Sequence, residues 1–164
     1  MTMGVTIIVI GVALMAVLLV GLLLRPGRVA EPELPRILVD GSNVMFWDDE
    51  TPKIETVSRV VWVLRDQGYK PGVIFDASAG YKIVGRYQDD AELAALLDLP
   101  AEQVLVVPKG TIADTYLLGA ARDLGARIVT NDKYRDWAKD FPEVRRPGHL
   151  IRGAVKKGKV RLEV

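Results

Sequence analysis

Short runs of aliphatic and β-branched residues alternate with longer amphipathic stretches between residues 36 and 137. The short runs are bounded by turn-forming residues, as buried strands are, whereas the longer stretches carry apolar residues at helical spacing. Strands that alternate with helices predict an α/β fold, a three-layer α/β/α sandwich around a central parallel sheet. We expect strands at 36–39, 71–76, 103–107 and 127–130, helices at 54–64, 89–97 and 114–124, a further helix that begins at Asn131, and a loop at 77–81.

The N-terminal segment differs from this pattern. Residues 1–24 carry no charge and hold an apolar run of about 21 residues, which as a helix would be roughly 30 Å long, enough to cross a bilayer. Arg25 and Arg28 follow the run and no charge precedes it, so the positive-inside bias predicts a cytoplasmic C-terminal side. A cleaved signal peptide or a buried core helix is the alternative.

These features predict four segments along the chain. Three prolines and alternating charges make the stretch after the apolar run a short, stiff linker. The expected division is a transmembrane anchor at 1–28, the linker at 29–35, a folded domain at 36–147 and a basic C-terminal hairpin at 148–164.

Charge and composition narrow the chemistry. The formal net charge is +1, but residues 25–144 carry 15 Lys/Arg against 20 Asp/Glu, while residues 145–164 carry 7 against 1. A uniformly basic nucleic-acid binder is therefore excluded. The chain has no cysteine and only one histidine, His149, so thiolate chemistry is excluded and a His-based metal site is not expected. Carboxylates would have to hold any metal, which favours Mg²⁺ or Mn²⁺.

Aspartates follow the ends of the predicted strands. Asp40 and Asp76 end the first two strands, Asp114 opens the helix after the third, and Asp132 follows the fourth. Because the carboxyl ends of parallel strands meet at one edge of a sheet, these side chains are expected to converge. Asp136 comes four residues after Asp132 and would share a face of the helix that starts there. Each aspartate could instead be a helix cap or a turn residue, but several at one edge favour a shared divalent metal.

Three motifs in this order resemble the NYN domains of the PIN-like superfamily, and most closely the Zc3h12a-type (Regnase-like) ribonucleases. They are VDGSNV at 39–44, ADTYLL at 113–118 and VTNDKYRDW at 129–137. The resemblance implies a compact α/β/α sandwich of PIN-like, Rossmannoid type. It also implies a Mg²⁺- or Mn²⁺-dependent endoribonuclease without base-specific readout.

Carried over by position, the resemblance implies an acidic cluster that binds the metal and acts in catalysis, with Asn43 supporting Asp40. Ala113 is a departure from the family, in which animal members often show two adjacent acids at this point. The absent charge could weaken metal binding. The implied cluster is Asp40, Asp114, Asp132 and Asp136.

A ribonuclease must also hold a polyanion. Lys109, Lys133 and Arg135 flank the proposed acids and are candidates for phosphate contacts. The basic tail can extend this footprint; the alternatives are a solvated hairpin or attraction to anionic lipid. Its members are Arg145, Arg146, Arg152, Lys156, Lys157, Lys159 and Arg161. Trp47, Tyr81 and Tyr134 are candidates for base stacking, and Trp62, Phe75 and Tyr116 are assigned to the core.

Together these observations predict a single-pass protein of the plasma or inner membrane. Its cytoplasmic domain, a possible homodimer, would cleave single-stranded RNA with metal-activated water. The alternative is a weak or inactive module that binds RNA and acts as a membrane-tethered adaptor. A metal-dependent phosphatase ranks lower, because the first motif lacks the Asp-x-Asp pair typical of such enzymes.

Overall fold

A parallel sheet forms the centre of the chain in residues 33–163, the part that the computed structural model describes. Within these residues the sheet has five strands in the order β3-β2-β1-β4-β5, all parallel. The α/β fold with a central parallel sheet is therefore confirmed. The strands are β1 (Arg36–Asp40), β2 (Lys70–Phe75), β3 (Val104–Val106), β4 (Arg127–Val129) and β5 (Leu150–Ile151).

Helices connect these strands, and a hairpin follows them. Helix α2 is amphipathic, and its buried stripe includes Val57, Val60, Val61 and Leu64, as the spacing predicted. The helices are α1 (Gly41–Val44), α2 (Ile54–Asp66), α3 (Ala79–Val84), α4 (Asp90–Leu97) and α5 (Ala113–Leu124), with 3₁₀ turns at Ala101–Gln103, Arg135–Trp137 and Pro142–Arg145. Strands β6 (Gly153–Lys156) and β7 (Lys159–Leu162) form an antiparallel hairpin.

Both faces of the sheet are buried, which explains why the strands are continuous apolar runs in the sequence. Alternate residues of β1 serve the two sides: Ile37 and Val39 pack in the core with α2 and α4, while Leu38 packs in the core with α5. On the first side Phe75 is fully buried, as expected. Trp62 and Tyr116 were wrongly assigned to the core; they are 66% and 43% exposed because they lie off the buried stripes of their helices.

The strand order creates a switch point beside β1. The chain passes from β1 to β2 and β3 on one side, then returns to β4 on the other side. Where the direction of winding reverses, the carboxyl ends of two neighbouring strands form a crevice that commonly holds ligands. Asp40, the last residue of β1, and Thr130, directly after β4, meet there.

Three local predictions were wrong. No α-helix begins at Asn131, because the Asp132 side chain accepts the backbone N–H of Tyr134 and Tyr134 adopts a left-handed conformation with φ 46°. Residues 131–134 are irregular, so Asp132 and Asp136 do not share a helical face. The segment 77–81 is not wholly a loop, since α3 starts at Ala79. The segment 148–164 contains β5, which joins the edge of the sheet, as well as the β6–β7 hairpin.

The predicted transmembrane helix at 1–28 and most of the predicted linker lie outside the described residues. Within residues 33–163, no helix is long and apolar enough to cross a membrane.

Candidate active site

Asp40 lies at the switch point with a buried side chain, 9% exposed. Its Oδ1 accepts the backbone N–H of Asn43 at 3.1 Å, because β1 runs directly into α1 and Asp40 caps that helix. Its Oδ2 accepts hydrogen bonds from the Thr130 hydroxyl at 3.0 Å and the Tyr134 phenol at 2.6 Å. A carboxylate has about four acceptor positions. Three are filled here, which fixes the group and leaves one position on Oδ1 for a further ligand.

The protonation of Asp40 is set by opposing effects. Burial raises the pKa of Asp40 above its ordinary value of 3.8, while the hydrogen bonds from Tyr134, Thr130 and Asn43 act to lower it. The negative charge of Asp114 raises this pKa as well. Burial and the charge of Asp40 raise the pKa of Tyr134, so the phenol stays protonated and remains a donor at neutral pH. The site therefore holds a carboxylate whose charge is only partly compensated.

Asp114 brings the second carboxylate. It is the second residue of α5, and its Oδ2 accepts the indole N–H of Trp137 at 3.1 Å. Asp40 and Asp114 both line a cleft of about 120 Å³, together with Ser42 and Ala113. Among the described residues, neither of these two carboxylates forms a salt bridge. Two acids therefore share a small cleft without a cation from the protein.

Asn43 connects the acidic cleft to two other segments. Besides its backbone bond to Asp40, its side-chain Oδ1 accepts the indole N–H of Trp47 at 2.9 Å and the backbone N–H of Asn131 at 2.9 Å. The Asn131 side chain in turn bonds both backbone groups of Gly153, at 2.9 and 3.2 Å. Asn43 thus acts as a positioning residue that joins the β1, β4 and hairpin segments.

Asp76 also lines the cleft, but its charge is already satisfied. Its carboxylate accepts the backbone N–H and the hydroxyl of Ser78, and Lys82 lies 3.4 Å away. Burial alone would raise the pKa of Asp76, but the hydrogen bonds from Ser78 and Ser42 outweigh it and lower that pKa below 3.8. Asp76 is therefore better suited to form the wall of the cleft than to bind a cation.

Asp132 and Asp136 are not among the residues that line the cleft. Both are exposed. The backbone N–H of Asp132 donates to the Thr130 hydroxyl at 3.1 Å, which places this residue one contact from Asp40. Asp136 precedes Trp137, the partner of Asp114. Within residues 33–163, no three acidic or histidine side chains converge on one point that could hold a metal.

The basic candidates divide between two edges of the sheet. Lys109 follows the carboxyl end of β3, and Lys133 and Arg135 follow the end of β4; all three are exposed. Arg152, next to Gly153, follows the carboxyl end of β5. Arg145 and Arg146 do not lie at this carboxyl edge.

Arg146 lines a separate cleft with Arg127 and His149, where β4 begins, and Arg145 immediately precedes it. These two arginines lie at the amino edge because β5 is parallel to β4 and the chain must return to that edge before it starts. The structure therefore does not bring them together with the acidic cleft.

The residues present fit a divalent cation in part. Asp40 and Asp114 offer oxygen ligands in a cleft that lacks a protein cation, and Mg²⁺ commonly binds one or two carboxylates and completes its shell with water and substrate phosphate. Ala113 lines the same cleft and offers no ligand. Two carboxylates are thus in place, and the further candidates that the resemblance implied, Asp132 and Asp136, lie in the exposed segment after β4.

Sequence reasoning missed the residues that support the acids. Tyr134 was a candidate for base stacking, but it is 2% exposed and donates a hydrogen bond to Asp40 instead. Thr130, Asn131 and Trp137 were not singled out, although each makes a hydrogen bond within this network. Their position directly after a strand that ends at the switch point was the signal that could have identified them.

Comparisons with known proteins place this site in a family. No curated protein sequence matches the chain. Two structures of a nuclear protein-only RNase P (PRORP2) from Arabidopsis thaliana share the fold, with TM-scores of 0.60 and 0.61 at 19% and 22% identity. In each case the match covers 82% of this chain but 30% of the other, so the chain spans less than a third of those proteins.

The five-stranded parallel sheet fits the PIN-like fold that the motifs implied. Residues 33–148, well over half of the chain, match the sequence model of the Zc3h12a-like ribonuclease NYN domain. The chain therefore belongs to the Zc3h12a-like ribonuclease NYN domain family.

Proposed function

We propose that the protein is a Mg²⁺- or Mn²⁺-dependent endoribonuclease that cleaves single-stranded RNA. The observation that carries this proposal is the pair formed by Asp40 and Asp114, two carboxylates in one small cleft that form no salt bridge with any described residue. The family to which the chain belongs supports RNA as the substrate class.

In this proposal Asp40 and Asp114 hold the metal, and Asp132 and Asp136 complete the acidic set from the exposed segment that follows β4. The metal, when bound, supplies the positive charge that activates water and stabilises the phosphate in the transition state. The hydrogen bonds from Tyr134 and Thr130 favour the ionised form of the Asp40 carboxylate and fix its direction. Asn43 holds the β1 and β4 segments at the distance that this arrangement needs.

Contacts to the RNA backbone would come from cations at the same edge of the sheet. Lys109, Lys133 and Arg135 are exposed and follow the strands that end beside the cleft. Such contacts position a strand without reading its bases. Arg145 and Arg146 fall outside this proposed footprint because they lie at the opposite edge.

A second candidate is a weak or inactive module that binds RNA and acts as an adaptor. The observation that favours it is Ala113, which lines the cleft beside Asp114 where animal relatives often carry another acid. Fewer carboxylates lower the affinity for a hard divalent cation. This candidate retains RNA binding and predicts little or no cleavage.

Membrane anchoring and location are part of the proposal as well. The uncharged residues 1–24 and the cations Arg25 and Arg28 support a single span with the NYN domain on the cytoplasmic side of the plasma or inner membrane. Dimerisation stays a prediction. Removal of residues 1–28 should release the protein from the membrane fraction; continued membrane association would contradict the anchor.

The test of the enzymatic proposal uses the full chain, purified in neutral detergent, and an end-labelled single-stranded RNA. Cleavage is measured with Mn²⁺, with Mg²⁺ and with EDTA, in the wild type and in Asp40→Asn and Asp114→Asn. Asp123→Asn is the matched control, since this exposed acid lies at the other end of α5.

We expect metal-dependent cleavage that each site variant reduces by more than the roughly 10- to 100-fold that outer-shell changes cost. The control should cleave like the wild type. Cleavage that survives both site variants would refute the assigned residues, and RNA binding without cleavage would favour the adaptor.

A further inference from the structure

The β6–β7 hairpin has one apolar and one basic face. Its register pairs Val155 with Val160 and Gly153 with Leu162 on the side that packs against the core. Side chains alternate between the faces of a strand, so the remaining positions point away from the core. These positions are Arg152, Ala154, Lys156, Lys159, Arg161 and Glu163, four of them basic.

Within residues 33–163, the four cations of this outer face outnumber its one acid, Glu163. Lys156 and Lys159 stand directly opposite each other across the two strands, an arrangement that destabilises a hairpin. No salt bridge among the described residues involves Arg152, Lys156, Lys159 or Arg161.

The acids that share a cleft with the hairpin turn are already engaged. They are Asp48 and Asp49, which lie within 3.1 and 3.9 Å of Lys53. Arg59 reaches the same turn, and a Cβ on Gly158 would lie 3.5 Å from its guanidinium. The turn region therefore carries excess positive charge.

The turn itself adds a further positive charge at a backbone cost. Lys157 and Gly158 both have positive φ, 50° and 71°, as in a type I′ turn. The first position of such a turn favours Asn, Asp or Gly, and a lysine there is strained. Lys157 lies between Lys156 and Lys159, so the turn concentrates three positive charges at a position where a lysine does not favour the fold.

A chain of hydrogen bonds connects the hairpin to Asp40. The Asn131 side chain bonds both the N–H and the C=O of Gly153, and the Asn131 backbone donates to Asn43, whose own N–H donates to Asp40. Gly153 also has no room for a side chain, since a Cβ would lie 2.6 Å from the Trp47 ring. The first outward residue, Arg152, thus directly precedes Gly153, which the hydrogen bonds from Asn131 hold in place.

We propose that the outer face of this hairpin binds the phosphate backbone of the RNA strand where it extends beyond the acidic cleft. This inference rests on the proposed function. Charge complementarity points to a polyanion, and the hydrogen-bond connection to Asn43 points to the substrate of the same site. The hairpin lies C-terminal to residues 33–148, which match the family.

The test measures how strongly salt weakens RNA binding. A fluorescent single-stranded RNA is titrated with the full chain in neutral detergent with EDTA, over a series of KCl concentrations. The variant is Lys156→Gln/Lys159→Gln, which removes the opposed pair and should leave the hairpin folded because repulsion falls. The control is Arg65→Gln/Lys70→Gln, which removes the same charge at the amino edge, where α2 ends and β2 begins.

For single strands, each phosphate contact contributes about 0.7 to the slope of log affinity against log salt. The hairpin variant should therefore lower the magnitude of the slope by about 1.4, and the control should leave it unchanged. Equal slopes for the wild type and both variants would overturn the inference. If the slopes are equal and the wild type cleaves RNA, the proposed function stands and only the role of the hairpin is refuted. If the wild type neither binds nor cleaves RNA, the proposed function itself is refuted.

A second measurement separates RNA from lipid. Hydrogen exchange of the hairpin amides is compared with RNA present and with mixed micelles that contain phosphatidylserine. We expect RNA to slow exchange at residues 152–162 in the wild type and not in the hairpin variant. Slowing by phosphatidylserine and not by RNA would replace this inference with a lipid-binding face.

Discussion

The Tyr134 phenol donates a hydrogen bond of 2.6 Å to Oδ2 of Asp40, across 94 positions of sequence. The contact joins the segments that follow β4 and end β1, the two strands at the switch point. A hydrogen bond to the charged form of a carboxylate lowers its pKa. Tyr134 therefore counteracts the burial that raises the pKa of Asp40.

The first prediction concerns Tyr134→Phe, which removes the hydroxyl and keeps the ring. The pKa of Asp40 should rise further above 3.8, so a higher pH is needed to ionise this proposed metal ligand. A hydrogen bond to a charged group is worth about 1.5–3 kcal/mol, which corresponds to a shift of about one to two pH units. We expect the acidic limb of the cleavage pH profile to move upward by this amount.

Tyr81→Phe is the matched control, because Tyr81 is 57% exposed and makes no contact with Asp40. Its profile should coincide with that of the wild type. If Tyr134→Phe lowers the rate equally at every pH, Tyr134 acts on packing alone and the assigned role is wrong.

The second prediction concerns the indole of Trp137, which orients Asp114 through a 3.1 Å hydrogen bond. Trp137→Phe keeps an aromatic ring and removes the donor. Loss of such an outer-shell contact typically costs about 10- to 100-fold in metal affinity. Mn²⁺ titration followed by electron paramagnetic resonance should show this weakening, while Trp62→Phe, at a 66% exposed position, should bind like the wild type. An unchanged Mn²⁺ affinity in Trp137→Phe would show that Trp137 does not contribute to metal binding.

Much of the site could be predicted from sequence because parallel topology determines it. An apolar strand that ends in Asp40, and a helix that opens with Asp114 after another strand, must deliver both acids to the same edge. This argument needs only strand order and direction. It holds even though the sequence does not reveal the register, and it also places Lys109 correctly at the edge that carries the cleft.

The irregular segments could not be predicted in this way. Helical spacing in NDKYRDW favoured an α-helix, but the Asp132 side chain competes for the Tyr134 N–H and a left-handed residue follows. The same turn buries Tyr134 and changes it from an exposed aromatic into the partner of Asp40. Arg146 was grouped with the candidate RNA contacts because it belongs to the basic tail in the sequence. In the structure it lies at the amino edge of the sheet, because the chain must return to that edge before the parallel strand β5 begins.

The third prediction compares two glycines. A Cβ on Gly41 would lie 2.4–2.7 Å from ring atoms of Phe75, which is fully buried and cannot move aside cheaply. Gly41→Ala should therefore lower the free energy of unfolding by about 1–3 kcal/mol through overpacking. Gly119 lies inside α5, and a Cβ there would meet no neighbouring atom within 4 Å. Gly119→Ala should therefore raise the free energy of unfolding by about 0.5–1 kcal/mol through helix propensity.

Urea unfolding of the two variants measures both values. Gly41 and Phe75 are sequence neighbours of Asp40 and Asp76, which line the cleft, so Gly41→Ala should also reduce cleavage, while Gly119→Ala should not. Equal stability of the two variants would show that the Phe75 ring can shift without cost.

The fourth prediction concerns pH and the ion pair of Arg122 with Glu143. Arg122 donates two hydrogen bonds to the Glu143 carboxylate, at 2.7 and 3.0 Å, and lies 4.4 Å from the Phe141 ring centre. The hydrogen bonds from Arg122 lower the pKa of Glu143 from 4.5 to about 2. Since the folded-state pKa lies below that of the unfolded chain, the pair stabilises the fold above pH 4.5 and loses this effect as the pH falls toward 2.

Glu143→Gln should therefore melt at a lower temperature than the wild type at pH 7, and the difference should shrink as the pH falls below 4.5. Because the guanidinium is exposed, high salt should reduce the difference at pH 7 as well. Glu102→Gln, at an exposed position, is the control and should show no such pH dependence. A difference for Glu143→Gln that stays constant from pH 7 to pH 3 would mean that packing against α5, and not charge, stabilises this contact.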